Sequence, residues 1–274
     1  ILNQLTSEFE GTIKLIFQPG EEKLPGGASL MIKEGVLENP TPTAIIGQHV
    51  FPDLPYGKVG FRGGMYMASC DEIHIQVNGK GGHGAMPHNT IDPILISAHL
   101  ITSLQQIVSR HCDPTIPSVL SFGHIEGLGA TNVIPSHVKI KGTFRTMNEE
   151  WRAKAHQLIK DQSKQLVESM GGTIDMDLRV GYPFLQNDPE LTESCQKRMK
   201  QVLGSENVID LPIRMTGEDF SFFSLKVPSC FFRLGVRNES ENKIYGVHHS
   251  QFDIDEDAML TGMISMCNIV MAQD

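Results

Sequence analysis

The chain has 274 residues, 40% of them hydrophobic and 20% charged, which fits one large or two ordinary packed domains and argues against a disordered polypeptide. Lys and Arg number 23 against 32 Asp and Glu, a net charge of −9, and a surface of that sign repels a phosphate backbone, so nucleic acid is not expected as a partner. No run reaches the roughly eighteen apolar residues of a membrane span, and the five cysteines, Cys70, Cys112, Cys195, Cys230 and Cys267, form no CxxC pair, the pattern of reduced thiols in a cytoplasmic protein.

Taken in chain order, Ile1, Leu2, Leu5 and Phe9 are spaced like the last turns of an amphipathic helix. The run Thr12-Ile13-Lys14-Leu15-Ile16-Phe17 then predicts a buried strand. A helix tail running straight into a strand resembles the middle of an α/β domain, so a longer parent polypeptide is expected. Ala28, Leu30, Met31 and Ile32 predict a short helix closed by Gly35. A second short strand, Ala44 to Gly47, ends at Gln48-His49. Strand, helix, strand is the rhythm of a parallel sheet.

From about Met67 the pattern changes. Ile73, Ile75 and Val77 alternate with polar residues, as on a half-buried strand. Asp92-Pro93 opens a helix whose apolar face is read as Ile94, Leu95, Ala98, Ile101, Leu104 and Val108. Strands at about 118–126 and 134–146 follow, then a helix capped by Asn148 and ended by Gly171-Gly172, then a strand from Thr173 to Val180. This β-α-β-β-α-β order is that of a ferredoxin-like domain. The expected organisation is therefore an α/β domain in two parts, 1–67 and 183–274, interrupted by an inserted α+β domain at 68–182. The second part carries a helix near 189–203, a strand near 229–235 and a closing helix from Asp257 to Met271.

Glu21-Glu22 places two carboxylates at the carboxyl end of the expected strand, where open α/β sheets bind ligands. One could bind a metal while the other faces a water and accepts its proton; the competing reading is a solvated acidic turn. His49, ending the next strand, and His248-His249, before the acidic start of the last helix, add imidazoles to the same domain. Each alone could be structural. In the inserted domain three glycines surround His83 in Gly81-Gly82-His83-Gly84, and Asn132 and Arg145 offer an amide and a guanidinium suited to an oxyanion and a carboxylate.

The segments FQPGEE, GQHVFP, GKGGHGAMPHNTIDPI, GATNVIP, GTFRT, TGEDFSFF and HHSQFDIDEDAM stand in the order found in the aminoacylase-like metallopeptidases. The sequence resembles most their N-acyl-amino-acid amidohydrolase branch, which includes hippurate hydrolase and the auxin-conjugate hydrolases. The resemblance implies a phosphorylase/hydrolase-like catalytic domain with an inserted ferredoxin-like dimerisation or lid domain. It implies Glu21 as general base, with Glu22, His49 and His248 among the ligands of two divalent metals, Zn, Mn, Co or Ni. His248 is preferred to His249 because the family's ligand stands four residues before the Phe of this motif, here Phe252. His83 resembles the lid histidine that, in family dimers, reaches into the partner's active site and polarises the scissile carbonyl. Asn132 and Arg145 resemble contacts to the substrate's carbonyl or carboxylate.

The implied activity is hydrolysis of the amide of a small N-acyl amino acid by a cytoplasmic homodimer, with no nucleic-acid or membrane partner. Two alternatives stand beside it: a dipeptidase or carboxypeptidase with the same site, and a non-catalytic dimerisation fragment. The family's upstream Cys-Gly-His-Asp motif, which supplies further ligands, has no counterpart here, since none of the five cysteines precedes Gly-His. The chain is thus expected to lack the first strands of the catalytic sheet.

Overall fold

A computed structural model describes residues 1–4, 11–240 and 244–272. In chain order the elements are helix α1 (Gly27–Lys33), strands β1 (Ile45–Pro55), β2 (Val59–Phe61), β3 (Gly64–Met67), β4 (Asp71–Asn78) and β5 (Gly82–His83), helix α2 (Pro93–Gln106), strands β6 (Ser118–Glu126), β7 (Val133–Ile134) and β8 (His137–Thr146), helix α3 (Glu149–Ser169), strands β9 (Thr173–Val180) and β10 (Leu185–Asn187), helix α4 (Pro189–Leu203), strand β11 (Val208–Asp210), helix α5 (Ser221–Ser224), strand β12 (Ser229–Arg237) and helix α6 (Asp257–Met271). The fold is mixed α/β. The chain forms two compact units: Ile1–Tyr66, Leu185–Arg214 and Asp219–Asp274 make the first, and Met67–Phe184 with Met215–Glu218 the second. Among the described residues no helix is long and apolar enough to cross a membrane.

The first unit is built on a four-stranded sheet in the order β1-β12-β2-β11. β12 runs parallel to β1, with His49 opposite Arg233, and antiparallel to β2. β12 is buried along almost its whole length, as a strand covered on both faces must be. The pleat then sorts its side chains. Cys230, Phe232, Leu234 and Val236 join the core that α4 and α6 close with Leu191, Cys195, Met199, Ala258 and Ile269. Phe231 and Arg233 point to the opposite face, shared with Gly47, His49 and Phe51 of the neighbouring strand. Asp188 caps α4 by accepting the Leu191 N–H at 2.8 Å, with Pro189 at the first helical position.

The second unit holds a four-stranded sheet in the order β6-β8-β4-β9, antiparallel throughout, with α2 and α3 packed on it and the short strands β5 and β7 paired separately. Ile73, Ile75 and Val77 of β4 face the helices, while Glu72, His74 and Gln76 between them face outward. Asp92 caps α2 through the Ile94 and Leu95 N–H groups, and Asn148 caps α3 through the Trp151 N–H. A buried ion network ties β4 to α3. Asp71 accepts from Arg152 Nε at 3.0 Å and Nη2 at 2.5 Å, from His156 Nε2 at 2.7 Å and from the Gly181 N–H at 3.0 Å. Arg152 also donates to Glu149 at 2.9 Å and to the Gly181 carbonyl at 3.0 Å.

Three expectations need correction. Residues 12–17 form no strand: they pair with no neighbour among the described residues, and Leu15 and Phe17 are 69% and 85% exposed. Apolar alternation makes a strand only where a second strand supplies the hydrogen-bond ladder. Glu21 and Glu22 consequently stand in a turn after an extended segment rather than at a strand end. The second correction concerns His49, which lies within β1 rather than at its end, because parallel pairing with β12 continues through Phe51. The third concerns α2, whose buried stripe is Ile96, Leu100 and Leu104, continued by Ile107, while Ile94 and Leu95 are about half exposed. That helix is apolar around most of its circumference, so periodicity alone could not choose the face; contact with the sheet did. The expectation at Leu5 and Phe9 falls outside the described residues.

Candidate metal centre and active site

The turn bearing Glu21 and Glu22 is held by an aspartate from two hundred residues further on. Asp219, fully buried, accepts from Gln18 Nε2 at 2.5 Å on one oxygen and from the Ala28 N–H, at the start of α1, at 3.1 Å on the other. It thereby clasps both ends of the segment that contains the two glutamates. Gly27 permits the closure, since a Cβ there would lie 1.6 Å from the Pro19 carbonyl oxygen. Asp219 also donates its own backbone N–H to Glu21, and carboxylate oxygens of the two residues lie within 4.8 Å of each other.

Glu21 is only partly exposed. Burial, and then the charges of Glu22 and Asp219, push its carboxyl above the usual range, partly offset by the Asp219 N–H and by His248. Glu22 is exposed and acts electrostatically on His49. Glu21 thus lies within electrostatic reach of His248, and Glu22 within that of His49, but among the described residues the ligand atoms of Glu22, His49 and His248 do not all lie within 4.8 Å of one another. His49 is half-buried, and its Nδ1 lies 2.7 Å from the Val50 carbonyl, so Nδ1–H donates there and Nε2 is the nitrogen left for a ligand or metal. Burial, followed by the Arg233 charge, lowers the pKa of this imidazole and favours its neutral, metal-binding form.

His248 and His249 differ in their surroundings. The His249 ring stacks on Tyr245 with centroids 4.4 Å apart, and its Nδ1 accepts the Gln251 N–H at 3.1 Å. His248 is the one whose charge reaches Glu21. In chemical type the three carboxylates, Glu21, Glu22 and Asp219, and the two imidazoles, His49 and His248, are donors that divalent Zn, Mn, Co or Ni accepts, and Glu21 and Asp219 already bring ligand oxygens within 4.8 Å of each other.

The sequence-predicted residues of the second unit also meet one another. His83 in β5 lies opposite Val133 of β7, and the Gly84 N–H donates to the Asn132 carbonyl at 2.8 Å, so exposed His83 and Asn132 stand at one two-stranded antiparallel pair. His83 Nδ1 accepts the Ala85 N–H at 3.1 Å, which leaves Nε2 facing outward. Arg145, in β8, lies away from this pair and donates to the Met215 carbonyl at 3.2 Å.

Sequence reasoning gave no role to Asp219, although TGEDFSFF stood among its motifs. The available signal was a pair of adjacent acids directly before aromatic residues, a composition that suits burial rather than a solvated turn; Glu218 and Asp219 are both buried. Asp219→Ala removes the acceptor for both Gln18 and Ala28. It is expected to lower the melting temperature, at a cost of about 1–3 kcal/mol for the unsatisfied groups, and to reduce turnover through the loosened Glu21 turn. An unchanged melting curve and unchanged turnover would remove this clasp from the account.

The profile of the Peptidase family M20/M25/M40 matches residues 1–272. The chain is 37% identical over 261 residues to thermostable carboxypeptidase 2 of Saccharolobus solfataricus, an alignment covering 93% of this chain and 64% of that one. It is 35% identical over 268 residues to an IAA-amino acid hydrolase of Arabidopsis thaliana, covering 96% and 60%. It superposes with TM-score 0.76 and 27% identity on a dinuclear metal-binding peptidase of Bacillus subtilis, covering 98% of this chain and 67% of that structure. The chain thus spans about two thirds or less of the length of these proteins. On the match along nearly its whole length, the chain belongs to the M20/M25/M40 peptidase family.

Proposed function

We propose that the full-length protein is a metal-dependent amidohydrolase that splits N-acyl amino acids into a carboxylic acid and a free amino acid. The observation that carries this reading is the turn of Glu21 and Glu22 clasped by Asp219, with His248 within electrostatic reach of Glu21 and His49 within that of Glu22. Glu22, His49 and His248 would hold the metal, His49 through Nε2. Bound there, two divalent ions would supply Lewis acidity toward the carbonyl and acidify a water.

Glu21 takes the proton of the attacking water and returns it to the departing nitrogen. Its position between Glu22 and Asp219, in a half-buried turn, favours a carboxylate that can also hold a proton. His83 Nε2 donates to the carbonyl oxygen as charge develops, and the Asn132 side chain assists from beside the same strand pair. Arg145 is read as a contact to the substrate's carbonyl or carboxylate. The second unit is read as the family's ferredoxin-like dimerisation or lid domain, with units bounded near residues 67 and 184. The working form would be a cytoplasmic homodimer in which His83 serves the partner's site.

The test uses full-length protein loaded with Zn or Mn and compares N-acetyl and N-arylacyl amino acids with dipeptides. Release of amino acid chiefly from the N-acyl substrates is expected. Preference for dipeptides would favour the peptidase reading, which the 37% identity to a carboxypeptidase also supports. Turnover of neither class would overturn the proposal. Added metal is also expected to raise the melting temperature, a ligand at a hundred times its Kd being worth about 2.7 kcal/mol. His49→Ala should abolish most of that rise; an equal rise in the variant would dissociate His49 from the metal.

A further inference from the structure

Gly47, His49 and Phe51 share one face of β1, and Phe231 and Arg233 of β12 stand beside them, Phe231 opposite Gly47 and Arg233 opposite His49. The absence of a side chain at Gly47 gives the Phe231 ring its place. A Cβ there would lie 2.9 Å from that ring and 2.7 Å from the Phe220 ring, which tilts against Phe231 with centroids 5.0 Å apart. His49 therefore stands between two rings, Phe231 on the Gly47 side and Phe51 on the other. Its own ring meets Phe231 edge-on at 6.3 Å.

One guanidinium reaches both of these rings. Arg233 is 5% exposed, and its guanidinium carbon lies 5.1 Å from the Phe231 centroid and 5.9 Å from that of Phe51. It lies 6.0 Å from the Tyr66 centroid, and its Nε donates to the Tyr66 hydroxyl at 3.2 Å, which anchors the plane at one edge. Tyr66 is itself fully buried, and its carbonyl accepts the Arg214 N–H at 2.8 Å. Burying a cation is costly, and filling this space does not require one, since an apolar side chain would pack against the same rings. What arginine adds is a rigid plane that fixes how the rings are turned. The orientation at stake is that of His49. Its Nδ1–H bond runs to the carbonyl of the next residue, Val50, a local contact that the packing around the ring must select.

We propose that Arg233 is a positioning residue for His49: clipped across Phe231 and Phe51, it holds the imidazole in the rotamer that keeps Nδ1 on the Val50 carbonyl and leaves Nε2 for a metal. The role asks for no contact between Arg233 and substrate or metal. Its consequence for metal binding rests on the reading of His49 as a ligand, whereas the orientation of the ring is a property of the metal-free chain. Support of a ligand from behind is typically worth roughly ten- to a hundredfold in metal affinity. The charge of Arg233 acts in the opposite sense, because a cation beside His49 repels a divalent ion. Support and charge are therefore separable by the choice of variant.

The experiment uses the full-length protein with Arg233→Lys, which keeps the charge and loses the plane, and Arg233→Met, which loses both and keeps an apolar filling. Isotopically labelled histidine in the metal-free proteins, at a pH where the ring is neutral, reads the His49 tautomer from its ring-nitrogen shifts. The His49 signal is identified by its absence in His49→Ala. The wild type should show the Nδ1–H form alone, and both variants a mixture of tautomers. Zn affinity, measured by chelator competition, should weaken roughly ten- to a hundredfold in Arg233→Lys and less in Arg233→Met, where repulsion of the ion is also relieved. The melting temperature of Arg233→Met should stay level or rise, as is common when a buried charge gives way to an apolar residue of similar volume. A side chain that merely held the fold together would lower it. An unchanged His49 tautomer in Arg233→Met, or an equal loss of affinity from Arg233→Lys in the His49→Ala background, would overturn the assignment. Should His49→Ala by itself leave Zn affinity unchanged, His49 fails as a ligand, while the tautomer measurement still decides the positioning.

Discussion

Replacing Glu21 by Gln should reduce turnover by roughly two to four orders of magnitude, the usual contribution of a positioned acid–base group, while metal content stays at the wild-type level. The substitution keeps the size of the side chain and an oxygen that can accept the Asp219 N–H. It removes the carboxylate proposed to take a proton from water and deliver it to the departing nitrogen. The metal would be held by Glu22, His49 and His248, which the change leaves in place. Elemental analysis of the dialysed variant and progress curves with an N-acyl amino acid read the two quantities separately. A variant retaining near-wild-type rate would remove Glu21 from the role of base. A variant that lost its metal would instead make Glu21 a ligand.

Asp71→Ala is the substitution expected to cost the most stability. It strips the buried Arg152 of the carboxylate that meets both Nε and Nη2, and it orphans His156 and the Gly181 N–H at once. Removing one partner of a buried ion pair typically costs about 3–5 kcal/mol, because the other charge stays buried without compensation. The melting transition of the second unit should fall accordingly. Glu149 remains as a partner for Arg152 and sets a limit to the damage.

The same network predicts an acid limb. Burial alone would raise the Asp71 pKa, but the hydrogen bonds from His156 and Arg152 outweigh it, so the folded value lies below the ordinary one. A depressed carboxyl contributes stability that is present above its unfolded value, about 3.9, and is lost as pH falls through the lower folded value. Wild-type melting temperatures should therefore drop as the pH is taken below about 4, with a shallower fall in Asp71→Asn. Parallel curves for the two proteins would mean that other carboxylates dominate acid unfolding.

Much of the second unit was legible in the sequence because its signals are local. Asp92-Pro93 and Asn148 announce helix starts through contacts within three residues, and Ile73, Ile75 and Val77 announce one face of a strand through the pleat. The site motifs were legible for the same reason: Glu21-Glu22, His49 and His248 are recognisable as residue types in short, ordered segments. Which of them lie within electrostatic reach of one another was not, because it depends on pairing between distant stretches of chain.

The sequence by itself determined the caps, the alternation of the strands and the identity of the ionisable groups. The tertiary structure alone decided that β1 pairs with β12, that His49 lies inside a strand beside Arg233, and that Asp219 closes the turn of the two glutamates. It also decided that 12–17 form no strand and that α2 buries Ile96, Leu100 and Leu104 rather than Ile94 and Leu95. The physical reason is common to these cases. A cap or a pleat is satisfied by neighbours in the chain, whereas a ladder, a buried carboxylate or a packed helix face is satisfied only by groups that folding brings from elsewhere.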